Sequence, residues 1–508
     1  INLRGNSRTT GDIAKKEAGN IFDIRTPVAI AILVKNQKTE IQGQIHYFDI
    51  GDYLSKKEKL EKLSDLYSIS RVGSLGLWKN VKPDTHNDWL NQRDDSFGEF
   101  ISIGNKKEVR NVLFTGYSGG LKTNRDAWVY QSSMKHLKHN VSTMIDFYHE
   151  EVKRYKNSDQ KLEPKDFVNF DSSKMSWTRE VFNDVRKGYV HKILANEFRL
   201  SLYRPFTKQN LYFNRHFNNC VYQMPQIFPT ANSENLTICL TLSGTKGFSV
   251  LISDLVPDLH LIGDAQCFPL YLYEETSTEN KADDLFSHAE TNTADGKYTR
   301  KDAISDEGLK HFQDAYPTET ISKEDIFYYV YGLLHSEDYR TRYADNLTKE
   351  LPRIPCVKKA EDFWAFSKAG RDLAHWHLNY ETVEPYKAKL DLKGRSVREL
   401  QEHDYYVTKM KFIKKDQKDT VVYNNAITIE NIPLEAYDYV VNGKPALEWV
   451  MERQGVSTHK DSGIVNDAND WAIETMNDPS YPLNLFLRVI TVSLETMKIV
   501  RNLPKLDI

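Results

Sequence analysis

The apolar residues of this chain fall in short runs, and this distribution limits what the chain can fold into. The longest uninterrupted run is Val28–Val34, whereas a helix that crosses a bilayer needs about 20 apolar residues. Hydrophobic residues make up 40% and charged residues 27% of the 508, so the chain can still bury cores of its own. We expect several folded units and no membrane helix. The chain begins with Ile1 rather than Met, and we expect it to be part of a longer polypeptide.

Local patterns predict a mixed α/β (α+β) fold. Val28–Val34 is typical of a strand buried on both faces, and Ser55 with Glu58 forms a capping box at a helix start. Residues 274–310 are acidic and poor in aromatics, which indicates a mobile surface insertion. Other predicted elements are helices at 134–156, behind Ser322–Asp325, and at 336–351, 360–378 and 483–503, and a hairpin of 405–413 with 421–430.

Cysteine and histidine show no metal-binding pattern. The four cysteines are isolated and are expected to be reduced core residues of a cytoplasmic protein; they are Cys220, Cys239, Cys267 and Cys356. His136 and His139 share a helix face but have no third ligand nearby in sequence. His375 and His377 are expected at a helix surface or an interface rather than as ligands. We therefore predict no metal site.

Motifs of nucleotide-binding and hydrolytic enzymes are missing from the sequence. The glycine-bearing stretches 72–76 and 117–120 are not placed to cradle a cofactor. Asp478–Tyr481 resembles the Asp/Asn-Pro-Pro-Tyr loop with which amino-group DNA methyltransferases hold a flipped base. That loop follows a buried strand, but Trp471–Asn477 has a helical pattern. A turn that opens the final helix is the favoured interpretation, and a complete small DNA methyltransferase is the alternative.

Positive charge is concentrated in one part of the chain. Residues 101–230 hold 21 Lys and Arg against 12 Asp and Glu, and residues 271–330 hold 6 against 14. In the basic region, cationic and amide side chains alternate with aromatics, a mixture that can grip phosphates and read base edges. The candidates for DNA contact are Lys122, Asn124, Arg125, Arg204, Lys208, Arg215, Asn218 and Asn219. An aromatic-rich protein-interaction scaffold with a solvated rim is the alternative.

Ten short segments, taken in their order along the chain, resemble the C-terminal part of Type ISP restriction–modification enzymes. These enzymes join nuclease, helicase, methyltransferase and target-recognition domains in one polypeptide. The segments are Leu3–Asn6, Arg25–Ile30, Thr123–Trp128, Tyr203–Phe206, Asp258–His260, Cys267–Leu270, Ser322–Phe327, Leu351–Pro355, Tyr439–Gly443 and Gly463–Asp467.

This resemblance implies a domain organisation. Residues 1–70 would be the tail of a γ-class adenine-N6 methyltransferase with a Rossmann-like sheet. Residues 71–390 would be the first part of the target-recognition domain, and 391–508 the C-terminal part of this specificity region. Phe22 matches the aromatic that stacks on the flipped adenine in γ-class enzymes; packing under the sheet is the alternative.

The resemblance also implies partners and limits. The module would recognise double-stranded DNA and deliver a target adenine for N6 methylation from S-adenosylmethionine. Its other partners would be the upstream methyltransferase, helicase and nuclease domains. Because the cofactor and catalytic loops are missing here, we expect no catalytic residue in this chain, no cofactor bound by this chain alone, and no activity in isolation.

Overall fold

The structure, a computed structural model, describes residues 1–508 except 10, 36–37, 39–42, 108–109, 243–246, 277–290, 293–296 and 415. Helices and small sheets are interspersed along the chain, and the predicted mixed α/β class is confirmed. No helix in this described part of the chain is long and apolar enough to cross a membrane.

The first 81 residues form two short strand pairs and three helices around a small core. The strands pair antiparallel as Asn2–Arg4 with Val28–Ala29, and Ile45–Tyr47 with Lys79–Val81. The helices are Gly11–Glu17, Lys56–Leu66 and Ile69–Ser74. The predicted capping box is confirmed, since Ser55 Oγ accepts from Glu58 N while Glu58 accepts from Ser55 N. Phe48, Leu66 and Val72 make the core.

The prediction of a doubly buried strand over Val28–Val34 is wrong. Only Val28 and Ala29 pair with another strand, and Ile30 N donates one further hydrogen bond to Ile1 O. Leu33 is 89% exposed. Residues 30–34 have no further strand partner among the described residues, so the apolar run lies on the surface.

Two four-stranded sheets occupy the middle of the chain. One has the order Val250–Ser253, Thr237–Leu240, Gln266–Pro269 and Ser118–Gly119, with every pairing antiparallel. The other has the order Val256–Pro257, Phe198–Arg204, Thr207–Tyr212 and Tyr130–Gln131, with a parallel first pairing. The long helix Met134–Lys156 packs on the second sheet through a buried stripe that includes Leu137, Val141 and Tyr148.

A pair of closely packed helices, Lys323–Leu333 and Ala360–Leu378, forms the centre of a second core. Glycine is required where they touch, because a Cβ at Gly332 would collide with Phe366 O and one at Gly370 with Tyr328 O. His377, expected at a helix surface or an interface, is buried between helices, with Tyr331 Oη at 2.6 Å and Thr496 Oγ1 at 2.9 Å. Both partners come from other helices, which the sequence spacing of His375 and His377 does not reveal.

The C-terminal region combines a four-stranded sheet with three helices. The sheet order is Lys389–Asp391, Thr428–Glu430, Gln417–Val422 and Lys411–Lys414. The predicted hairpin is therefore a three-stranded meander with a fourth strand beside it. The helices are Ala446–Arg453, Ala468–Glu474 and Tyr481–Arg501.

The remaining elements are short. Residues 336–351 form two helices rather than the single one predicted. Further helices are Asp126–Val129, Pro164–Phe167, Arg179–Lys187, Met224–Ile227, Asp306–Ala315, Glu337–Arg342 and Ala344–Leu347. Further strands are Ile101–Ser102, Thr291–Asn292, Arg353–Ile354, Val440–Val441, Lys444–Pro445, Val456–Thr458 and Val465–Asp467.

The predicted acidic insertion, 274–310, is flanked and partly occupied by a strand pair. Tyr271–Glu275 pairs with Tyr298–Asp302, and most of the residues between these strands lie outside the described residues.

Two large cores hold the chain together. One combines residues of 121–267 with residues of 380–492, and the other combines residues of 97–374. The first core thus contains residues from both sides of the boundary predicted at 390, and the domain bounds stay a prediction. All four cysteines are free thiols, and Cys239 and Cys267 are fully buried.

Candidate nucleic-acid interface

Two loops, 120–125 and 214–222, are joined side by side by their backbones; we call them the paired loops. Lys122 N donates to Cys220 O at 3.0 Å, and Cys220 N donates to Lys122 O at 2.9 Å. On its other side, the first loop is tied to residues 257–259, with Leu121 N donating to Pro257 O. A Cβ at Gly120 would lie 2.7 Å from Asp258 O, so this close approach requires glycine.

Four of the eight predicted DNA-contact residues are accessible on the paired loops. Asn124 and Arg215 are exposed, and Lys122 and Asn219 are half-buried. Asn124 has a φ of +55°, a left-handed conformation that asparagine tolerates better than most residues. Asn219 N donates to Thr123 O, which brings the two loops together at these positions. The structure therefore places two cations and two amides on adjacent, well-anchored backbone.

Arg125 and Asn218 alternate with these residues but point into the protein. The Arg125 guanidinium donates to Ser176 O, Phe217 O and Thr178 Oγ1 at 2.6–3.1 Å, and burial lowers its pKa to about 10. Asn218 is fully buried and donates to Tyr212 O. Their donors are used internally, so this geometry does not fit the DNA contact expected of either residue.

Arg204 is also buried, in an ion pair. Its Nη1 lies 2.7 Å from Asp258 Oδ1, and its guanidinium lies over the Tyr203 ring at 3.8 Å. Asp126 Oδ2 accepts from Tyr203 Oη at 2.9 Å and lies 3.7 Å from Arg204. Burial raises the pKa of Asp258 to about 6, although the charge of Arg204 acts in the opposite direction. Arg204 is therefore buried, and its ion pair fixes Asp258, which lies in the segment 257–259 that is hydrogen-bonded to the first paired loop.

Lys208 and Tyr481 meet on one carboxylate. Lys208 Nζ lies 2.7 Å from Glu381 Oε2, and Tyr481 Oη donates to Glu381 Oε1 at 2.6 Å. Asp478 Oδ1 accepts from Ser480 N at 2.9 Å, immediately before the final helix begins at Tyr481. The prediction of a helix-opening turn at Asp478–Tyr481 is thus confirmed. With its ring buried, Tyr481 is not available to hold a flipped base.

The two glycine-bearing stretches differ in how closely they are packed. A Cβ at Gly119 would lie 3.1 Å from the Tyr222 ring, and one at Gly120 would collide with residues 258–259. In stretch 72–76, Gly73 belongs to a helix and packs against Trp78. The contacts at Gly119 and Gly120 leave no room for a nucleotide over stretch 117–120, whereas a Cβ at Gly76 would meet nothing within 4 Å.

Phe22 and Tyr222 are exposed aromatics. Phe22 is 60% exposed in a turn fixed by Asn20, whose Oδ1 accepts from Phe22 N. Its stacking role stays a prediction. Tyr222 is 45% exposed on the second paired loop, and the sequence analysis did not single it out. The signal that could have identified it is its position three residues after Asn219, in the same proline-interrupted aromatic segment.

Comparisons with known proteins were made against protein families, curated proteins and solved structures. The sequence model of the Type ISP C-terminal specificity domain matches residues 112–485. No curated protein matches the chain.

Solved structures give full-length matches to this chain. A nuclease-deletion mutant of the Type ISP restriction–modification enzyme LlaGI, in complex with a DNA substrate mimic, has a TM-score of 0.84 at 38% identity. The ATP-dependent Type ISP enzyme LlaBIII bound to DNA has a TM-score of 0.85 at 38% identity, and a DrdV–DNA complex 0.78 at 30%. Each match covers 100% of this chain but only 36%, 31% and 47% of the other chain, respectively.

The fold is a mixed α/β module, and two of its hydrogen-bonded loops present cationic and amide side chains at the surface. These features are typical of a nucleic-acid recognition module. The chain belongs to the family of Type ISP C-terminal specificity domains. It spans between about a third and a half of the length of the three matched chains.

Proposed function

We propose that this chain is the double-stranded DNA recognition module of a restriction–modification enzyme and positions a target adenine for N6 methylation. The observation that carries the proposal is the accessible set Lys122, Asn124, Arg215 and Asn219 on the paired loops. The three matched structures contain DNA or, for LlaGI, a DNA substrate mimic.

The side-chain types suggest which residues of the paired loops contact phosphates and which contact bases. Lys122 and Arg215 can neutralise phosphates, and Arg215 can also bind guanine through two hydrogen bonds. Asn124 and Asn219 each offer an amide that can match adenine. Tyr222 can pack against a sugar or base. The buried side chains of Arg125, Asn218 and Arg204 form hydrogen bonds and an ion pair that fix the conformation of these loops. The accessible side chains therefore need little reordering when DNA binds.

The N-terminal part supports the methyltransferase assignment. We propose that residues 1–70 are the tail of a γ-class adenine-N6 methyltransferase and that Phe22 stacks on the extruded adenine. The exposed apolar residues 30–34 would then be covered by the rest of the methyltransferase sheet, because a contiguous apolar strip on a surface is typical of an interface.

The cofactor belongs to the proposed parent enzyme. S-adenosylmethionine supplies the methyl group, but the glycine stretch 117–120 of this chain is filled by packing, and the sequence contains no nucleotide-binding loop motif. This chain is therefore expected to bind DNA without methylating it, and upstream methyltransferase, helicase and nuclease domains would supply the enzymatic steps. A complete small methyltransferase using Asp478–Tyr481 is disfavoured by the buried ring of Tyr481.

Selection of bound duplexes from a randomised pool tests the proposal. The folded chain is incubated with the pool at about 0.15 M salt, and bound DNA is sequenced. We expect enrichment of one short asymmetric site that contains an adenine. Binding without sequence preference that disappears at moderate salt would instead indicate purely electrostatic contact, as expected for an interaction scaffold.

Two alanine variants link the selection to the paired loops. Lys122→Ala should lower the slope of log K against log salt by about 1 and weaken binding to all sequences alike. Asn124→Ala should relax the preference at one base pair and cost about 1–3 kcal/mol on the preferred site. The matched control is Lys368→Ala, since Lys368 is an exposed cation on the helix Ala360–Leu378 and does not belong to the paired loops. Loss of affinity in the control to the same extent would remove the paired loops from the interface.

A further inference from the structure

Three residues from separate segments bring their ligand atoms together beside the second paired loop. Asp184 lies in the helix Arg179–Lys187, His191 follows that helix, and His216 lies in the loop. Asp184 Oδ2 is 2.7 Å from His216 Nδ1 and 3.3 Å from His191 Nε2. All three ligand atoms lie within 4.8 Å of one another. The arrangement is two imidazoles and one carboxylate around a common point.

Internal hydrogen bonding does not account for the whole cluster. Asp184 Oδ2 and His216 Nδ1 form a hydrogen bond, whereas His191 Nε2 has an ion-pair contact with Asp184 Oδ2 at 3.3 Å but no well-aligned hydrogen bond among the described residues. The His191 side chain is only 3% exposed, and a polar atom without a well-aligned hydrogen bond in the interior is costly. A cation between the two imidazoles and the carboxylate would satisfy this nitrogen.

The surroundings suit a small metal site with one open side. His191 packs against Tyr148 and Phe217, and the ring of Tyr189 stacks on His216 at 4.8 Å. These rings hold the imidazoles in place and exclude most of the solvent. The His216 side chain is 34% exposed, which leaves a path for an ion and for a fourth ligand such as water.

We propose that Asp184, His191 and His216 bind a divalent transition-metal ion of the Zn²⁺ type. Zinc accepts imidazole nitrogen and carboxylate oxygen at about 2.0–2.2 Å in a tetrahedral arrangement, which separates neighbouring ligand atoms by about 3.3 Å. Asp184 and His191 already have this separation, and His216 Nδ1, now 2.7 Å from Asp184 Oδ2, needs to move about 0.6 Å farther from it to reach the same separation. Binding displaces the proton between Asp184 and His216, which is released to solvent.

The metal would fasten the second paired loop to the helix beneath it. His216 directly follows Arg215, one of the proposed DNA contacts, and the other two ligands lie outside the loop. The ion would therefore join three chain segments at the base of the loop, with His216 as the ligand it contributes. The site itself does not depend on the DNA-binding proposal, because its ligands and its test involve no nucleic acid.

Titration of the chelator-treated full chain with Zn²⁺, and in parallel with Co²⁺, tests the site. Calorimetry should give one Zn²⁺ per chain, and Co²⁺ should develop the visible absorption of a tetrahedral complex. His216→Ala and Asp184→Asn should each weaken Zn²⁺ binding by at least about 10–100-fold, the loss seen even for outer partners of metal ligands. The matched control is His86→Ala, because His86 also faces a carboxylate, Asp95 at 3.7 Å, but belongs to no cluster of three ligands among the described residues.

X-ray absorption of the Zn²⁺-loaded wild-type chain gives a second readout that does not depend on how a variant folds. The first shell should contain only nitrogen and oxygen, with scattering from two imidazoles. Sulfur in that shell would overturn the ligand set. Failure of the wild-type chain to bind Zn²⁺ at micromolar concentrations, or equal binding by both folded ligand variants, would overturn the proposal as a whole.

Discussion

Replacement of Arg204 by alanine distinguishes a structural role from a role in reading DNA. Sequence reasoning expects Arg204→Ala to weaken DNA binding by about 1–3 kcal/mol if Arg204 reads a base. The structure instead buries the guanidinium against Asp258 and Tyr203. We therefore expect the main loss in the free energy of unfolding, and only a secondary loss in DNA binding through displaced loops.

The expected size follows from the burial of the pair. Both side chains are at most 10% exposed, and removing one partner of such a buried pair typically costs about 3–5 kcal/mol because the other charge is left uncompensated. Replacing both partners should cost less than the sum of the single changes. We expect Arg204→Ala with Asp258→Asn to recover part of the stability that Arg204→Ala loses.

The loss should depend on pH in a defined direction. The pKa of Asp258 is already raised to about 6 by burial, and removal of Arg204 raises it further. A carboxyl with a folded pKa above its unfolded value stabilises the fold most at low pH, and this contribution falls as pH rises through the folded pKa. Arg204→Ala should thus be better tolerated at pH 5 than at pH 8, with a change of at most about 1.4 kcal/mol per pH unit.

Urea unfolding of the wild type, both single variants and the double variant across this pH range measures these quantities. Duplex binding is then measured on the folded proteins. A variant with unchanged stability and an altered base preference would refute the buried-pair interpretation and return Arg204 to the interface.

Two further predictions concern buried groups. Arg125→Met should lower the free energy of unfolding by at least about 1–3 kcal/mol, since Ser176 O and Phe217 O lose buried donors; denaturant unfolding measures this, and exposed Lys57→Ala, with its side chain 86% exposed, is the control that should change little. Burial lowers the pKa of His377 to about 3, below the unfolded value near 6.5. Its contribution to stability is full above pH 6.5 and is lost as pH falls towards 3, so His377→Gln should flatten the acid side of the stability profile; an unchanged profile would contradict a neutral buried imidazole.

The sequence predicted well those features, such as helix caps and amphipathic helices, that are formed by residues close together in the chain. The Ser55 and Ser322 capping boxes each close within three residues, and the helix Met134–Lys156 follows from its own apolar stripe. Burial of polar groups depends on distant partners instead. Arg125 binds Ser176, 51 positions away, and His377 binds Thr496, 119 positions away, so no local pattern could reveal either contact.

The candidate interface shows why residue type alone cannot distinguish side chains that contact DNA from buried side chains that stabilise the loops. Asn124 is exposed while its neighbour Arg125 is buried, and buried Asn218 precedes half-buried Asn219. Both roles call for the same chemistry, because a loop that presents hydrogen-bonding groups outward also has backbone carbonyls to satisfy inward. Arg125 and Asn218 satisfy such carbonyls at Phe217 and Tyr212. Their substitution should therefore alter sequence preference only through stability, whereas substitution of Asn124 or Asn219 should alter it directly.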